Sequence, residues 1–181
     1  MAELIYVDNS NLFIEGFRAA AVRNGMAQTI QEAIDLDIKD YSYRVDFGKL
    51  IQFLGGTDKA EIKRAYLVGS RPPPSDAIWG IAENRGFEVH VEDRNASNKE
   101  KRVDTGIVTE MMRDAYKLAD AKEDTITLVS GDADFTPSIK RLIEDGFKVD
   151  VVFWDHASRE LKDAASEFIS LDAHNCAIRL T

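Results

Sequence analysis

One cysteine, three histidines and no long apolar run set the first limits on this 181-residue chain. A lone Cys176 excludes an internal disulfide and a cysteine-rich zinc site, and nothing beside it would activate the thiol. His90, His156 and His174 stand on separate elements without metal-ligand spacing and read as packing or surface residues. No stretch approaches the ~20 apolar residues that span a bilayer. No basic, apolar, small-residue leader follows Met1. The expectation is a soluble cytoplasmic protein without membrane contact. A Walker loop and a Gly-x-Gly-x-x-Gly fingerprint are both missing, which counts against nucleotide-driven chemistry. Ser130-Gly131 lacks the flanking residues of a nucleophile elbow. Positive charge is also short. Lys+Arg total 23 against Asp+Glu 32, a net charge of −9. That argues against holding a polyanion by bulk electrostatics. It does not exclude a polyanionic substrate, because divalent metals neutralise an acidic pocket.

What is present suits one globular domain. The hydrophobic share of 44% is enough for a core. Residues 1–181 read as a single domain, with 25–45 as an acidic, peripheral insertion carrying Asp35, Asp37 and Asp40. Leu4-Ile5-Tyr6-Val7 is a continuous apolar run of the kind buried in a parallel sheet. Further strands are expected at 60–68, 87–91, 125–129 and 147–154, with a short last one at 168–171. Helices are expected between them, from Leu12, over 46–54, from a Ser75 cap to Arg85, over 103–121, through Ile139 and Leu142, and over 158–165. Trp79 and Trp154 read as core or interface aromatics, Arg71-Pro72-Pro73-Pro74 as a rigid connector, and the tail after 171 carries no clear pattern. Alternating strands and helices predict an α/β fold with a mainly parallel sheet covered on both faces.

Two strand-to-helix turns are acidic. Val129-Ser130-Gly131-Asp132-Ala133-Asp134-Phe135 ends one strand, and Gly131 offers backbone freedom for a sharp turn. Val7-Asp8-Asn9-Ser10-Asn11 ends another. Asn9, Ser10 or Asn11 alone can cap the helix there, which leaves Asp8 surplus to capping. Asp104 opens the long fourth-strand-preceding helix. If the sheet order is 3-2-1-4-5, strands 1 and 4 are neighbours and the strand order reverses between them, so both turns face one crevice. Two carboxylates ~5 Å apart repel by roughly 3 kcal/mol at an effective dielectric of 20. Four of them, Asp8, Asp104, Asp132 and Asp134, call for protonation or a cation. Oxygen-only ligands favour Mg²⁺ or Mn²⁺, and the chemistry that follows is phosphoryl transfer to water. Asn11 is expected to orient the water or the substrate, and Ser130 to donate to a phosphate oxygen. Arg94, Lys99, Lys101 and Arg102 form the most basic local segment, a candidate phosphate-contacting rim.

Tyr6 to Asn11, Lys101-Arg102-Val103-Asp104, Val129 to Phe135, and then Gly146-Phe147-Lys148-Val149, Leu161 and the 164–171 ending stand in the order of a known family. The chain resembles the NYN domain, LabA-like branch, of the PIN-like nuclease superfamily over roughly residues 3–172. The resemblance implies a PIN-like, Rossmann-like three-layer α/β/α sandwich. It also implies metal-dependent RNA cleavage, with Asp8, Asp104, Asp132 and Asp134 as the catalytic and metal-holding cluster and Asn11 beside them. The leading expectation is therefore a divalent-metal-dependent ribonuclease acting on single-stranded or structured RNA. Two rivals remain. One is a small-substrate metal phosphohydrolase. The other is a regulatory or RNA-processing scaffold that keeps an acidic metal pocket. Protein partners on the acidic surface and a homodimer belong to the same set of expectations.

Overall fold

The computed structural model describes residues 1–55, 61–70, 77–92 and 100–180, with the backbone only at 100–102. Its strands are β1 (Glu3–Asp8), β2 (Ile62–Ser70), β3 (Glu88–Glu92), β4 (Thr125–Val129), β5 (Lys148–Phe153) and β6 (Glu167–Ser170). Its helices are α1 (Asn9–Arg23), α2 (Ile30–Asp35), α3 (Phe47–Gly55), α4 (Ala77–Asn84), α5 (Glu100–Lys117), α6 (Thr136–Glu144), α7 (Arg159–Ala164) and α8 (Asn175–Ile178). Among the described residues the strands form one sheet in the order β3-β2-β1-β4-β5-β6, every pair parallel. The predicted order is extended at one edge by β6, the short strand expected near 168–171. No helix among the described residues is long and apolar enough to cross a membrane.

The apolar runs are continuous because both faces of the sheet are covered. Successive strand residues point to opposite sides. Ile5 and Val7 join Leu12, Phe47, Leu50, Trp79 and Trp154 in one core, under α1, α3 and α4. Leu4 and Tyr6 join Val103, Ile107, Met111 and Ile139 in the other, under α5 and α6. These are the two outer layers of an α/β/α sandwich. In the second core the Tyr6 hydroxyl donates to Asp114 at 2.8 Å, and Arg64 and Arg113 also donate to that carboxylate. Asp114 is 1% exposed, so this network satisfies a buried charge and pins α5 to β1 and β2. Burial, then the bond to Asp114, pushes the Tyr6 hydroxyl far above its ordinary pKa. Asp104 rides on the same helix, ten residues or about 15 Å upstream.

Several boundaries move. Helix α5 starts at Glu100 rather than Val103 and stops at Lys117, and β2 runs over 62–70 rather than 60–68. The expected Ser75 cap and the triple-proline connector lie outside the described residues. The reading of 25–45 as peripheral needs correction. Its acids lie mostly at the surface, but Ala33, Tyr43 and Val45 are buried. The Tyr43 ring stands edge-on to Trp154 with centroids 5.8 Å apart. Val45 bridges to Arg179, and Asp46 N–H donates to Ile178 O at 2.8 Å, so the tail is packed too. Apolar residues spread singly through a polar stretch carry no period, which is why the pattern hid this packing.

Candidate metal centre

Strands β1 and β4 run side by side, with Val7 opposite Val129, and the strand order reverses between them. Their carboxyl ends therefore open on one crevice. Asp8 is the last residue of β1 and only 5% exposed. The strand passes into α1 with no intervening loop, so Asp8 is the residue left extended, at φ −82° and ψ 93°. Its Oδ1 accepts from Asn11 N–H at 3.0 Å and caps the helix. Asp8 is thus not surplus to capping. Asn9, Ser10 and Asn11 are already helical.

The turn after β4 repeats the device. Asp132, at φ −81° and ψ 133°, caps a single 3-10 turn over Ala133–Phe135, its Oδ1 accepting from Asp134 N–H at 3.0 Å. Phe135 anchors that turn in the core, and Pro137 stands in the first turn of α6, where a missing N–H costs nothing. Gly131 is needed for space rather than for unusual backbone angles. Its φ is not positive, but a Cβ there would lie 2.4 Å from the Phe153 ring. The expectation of a conformational glycine is replaced by a steric one.

Asn11 joins the two turns. Its Oδ1 accepts from Gly131 N–H at 3.0 Å and from the Ser130 hydroxyl at 3.5 Å. Ser130 Oγ in turn accepts from Asp132 N–H at 3.4 Å. Ser130 is fully buried. In this structure its hydroxyl serves the turn, donating to Asn11 and accepting from Asp132 N–H. On the third side, Ser158 N–H donates to Gly131 O at 2.9 Å, which brings the loop after β5 against the same turn. His156 in that loop pairs with Glu15 of α1 at 2.8 Å, both largely buried.

The result is a convergence of three carboxylates. Asp104, Asp132 and Asp134 each offer an oxygen, and these oxygens lie within 4.8 Å of one another. Asp104 and Asp132 are half-buried and Asp134 is exposed. Asp8 is not part of that set. Such spacing carries a repulsion of roughly 3 kcal/mol per ionised pair at an effective dielectric of 20. The donors are all oxygen, without thiolate or imidazole, and fit a hard divalent cation such as Mg²⁺ or Mn²⁺. Lys101 and Arg102 fall in the first turn of α5, described by backbone alone, and Arg94 and Lys99 lie outside the described residues. One neighbour escaped the sequence reading. Asn9 is buried, and its Oδ1 has no hydrogen-bond partner. Its only signal was its place inside the polar run after Asp8.

Comparison with known proteins adds the following. The family described as NYN domain matches residues 4–172. A search of curated proteins returns no significant match. Among solved structures, a protein of unknown function from Vibrio parahaemolyticus is similar, with a TM-score of 0.68 and 22% identity. The alignment covers 99% of this chain and 96% of that one, and at such identity it speaks to the fold alone.

Proposed function

The chain belongs to the NYN domain family, and from that premise we propose that it is a divalent-metal-dependent ribonuclease hydrolysing RNA phosphodiesters at Asp104, Asp132 and Asp134. The observation that carries this reading is the meeting of three carboxylate oxygens within 4.8 Å at the point where the strand order reverses. A bound Mg²⁺ or Mn²⁺ would supply Lewis acidity, making a water more acidic and offsetting charge that develops on the phosphate.

The chain's own residues do the rest. Asp104 comes from a helix locked by the Asp114 network, and Asp132 and Asp134 come from one tight turn, so the cluster is set before substrate arrives. Asp8 lies beneath α1 as its cap and adds negative charge to the crevice floor. Asn11 holds the two turns at a fixed separation, a positioning role. Arg94, Lys99, Lys101 and Arg102 precede or open α5 and are assigned to contact backbone phosphates of single-stranded or structured RNA.

The test incubates pure protein with labelled single-stranded RNA, duplex RNA and single-stranded DNA, each with Mn²⁺, Mg²⁺ or EDTA. Cleavage of RNA that needs the metal and stops in EDTA is expected. Turnover of a small phosphomonoester with RNA left intact would replace this reading with a phosphohydrolase. Metal binding without turnover of either would leave a regulatory or RNA-processing scaffold.

A further inference from the structure

A second polar pocket lies on the other face of the sheet. Glu3, Thr127 and Asp150 share the side of Ile5 and Val7, whereas Asp104 comes from the α5 side. Glu3 opens β1 and Asp8 closes it, about 16 Å apart along an extended strand. The pocket measures about 200 Å³. That exceeds the ~150 Å³ cavity that takes up benzene in a redesigned core.

We propose that this pocket binds a small organic cation, a primary ammonium or guanidinium group carried on a short apolar chain. Its polar end is acidic. Asp150 is 5% exposed, yet its Oδ1 has no hydrogen-bond partner in the structure. A buried carboxylate oxygen is normally satisfied, and this one belongs to a residue that lines the cavity. Glu3 stands close by, accepting from the Thr127 hydroxyl at 3.0 Å with one oxygen. An N–H-rich cation between the two carboxylates would supply donors to both.

The other wall is apolar. Phe53 and Leu54 from α3 face Val152 and Ile169 from β5 and β6. This suits the carbon chain of an amine and gives a hydrated inorganic ion nothing. The ligand geometry points the same way. Among the described residues, only Asp104, Asp132 and Asp134 bring three metal-type ligand atoms within 4.8 Å, so Glu3, Asp150 and His174 do not form a tight metal cage.

The surrounding charges favour a cation. Lys148 pairs with the other oxygen of Asp150 at 2.9 Å and is the nearby base. Against it stand Asp150, Glu167 of the neighbouring strand and Asp124, which Lys63 already engages. His174 closes the rim with its ring 5.1 Å from Phe53. Burial first, and then repulsion from Asp150 and Asp124 against the hydrogen bond from Thr127, pushes the Glu3 carboxyl up to about 7. A bound cation favours its ionised form, so affinity should rise as pH passes upward through that value.

The test is an amide NMR titration of the whole chain with n-butylammonium chloride, with n-butanol as neutral control and sodium chloride as salt control. Saturable shifts at Thr127, Asp150 and Ile169 with the ammonium alone, tightening from pH 6 to 8, are expected. Asp150→Asn should weaken binding at least tenfold and Glu3→Gln several-fold, while Asp132→Asn leaves it unchanged. That last arm separates this site from the nuclease reading. Equal binding of butanol, no saturable shift in the wild type, or undiminished binding in both pocket variants would overturn the proposal. If Asp150→Asn does not fold, Glu3→Gln and the neutral probe still decide.

Discussion

The turns after β1 and β4 each leave an aspartate as the last extended residue, and each uses its carboxylate as a cap, Asp8 toward Asn11 N–H and Asp132 toward Asp134 N–H, both at 3.0 Å. They differ in what surrounds them. Asp8 is 5% exposed and feeds a fifteen-residue helix. Asp132 is half-exposed, feeds a three-residue turn, and has two further carboxylates within reach. The same local device thus caps a long helix at one strand end and holds a carboxylate toward two others at the other. Capping uses one oxygen of Asp132, and the second stays available to the cluster.

The sharpest way to break this comparison is to neutralise each aspartate in turn. Asp132→Asn should keep the fold, because the amide oxygen still caps, and should lower metal-dependent cleavage on the order of 10²–10³-fold, as losses of an electrostatic catalytic group do. Asp8→Asn should cost less activity than Asp132→Asn, while Asp8→Ala should lose about 1 kcal/mol of stability with its cap. Urea unfolding and single-turnover cleavage, run side by side, read the two effects separately. Equal activity losses in the two Asn variants would place Asp8 among the ligands and end the distinction. Next in size, Gly131→Ala sets a methyl 2.4 Å from the Phe153 ring and should cost about 1–3 kcal/mol by overpacking. Its melting temperature should fall along with its activity. A full-length Tm equal to wild type would show that the ring gives way freely. The smallest effect is expected for Asn11→Ala. It unties the two turns, leaves Gly131 N–H without its acceptor, and should cost about 1 kcal/mol with roughly tenfold in cleavage rate and little change in metal affinity. A loss of metal affinity as large as that of Asp132→Asn would mean that Asn11 is no mere tie.

Much of this was legible in the residues. The apolar runs at 4–7 and 125–129 mark central strands because a strand covered on both faces has no polar alternation. The acidic turns were legible because carboxylates at strand ends in an α/β sheet point to the crevice. Which of four consecutive polar residues caps α1 is not legible, since that depends on where the strand releases the chain, and Asp8 is the one it leaves extended. The steric reason for Gly131 is not local either, because the Phe153 ring that excludes a side chain lies more than twenty residues away. Tyr43 under Trp154, and the pairing of His156 with Glu15, are contacts between elements that no local pattern announces.

The place of β1 in the sheet also shapes how the chain must fold. This strand holds a central position, yet it comes first in the sequence, and its partner β4 comes last among its neighbours: Ala2 N–H bonds Asp124, 122 residues away. Until β4 exists, one edge of β1 has β2 and the other has nothing, an apolar edge open to wrong partners. Closing that gap is a long-range step whose entropy must be met before any of its contacts form. Synthesis from the ribosome makes the wait longer still, because β4 is made well after β1 and β2.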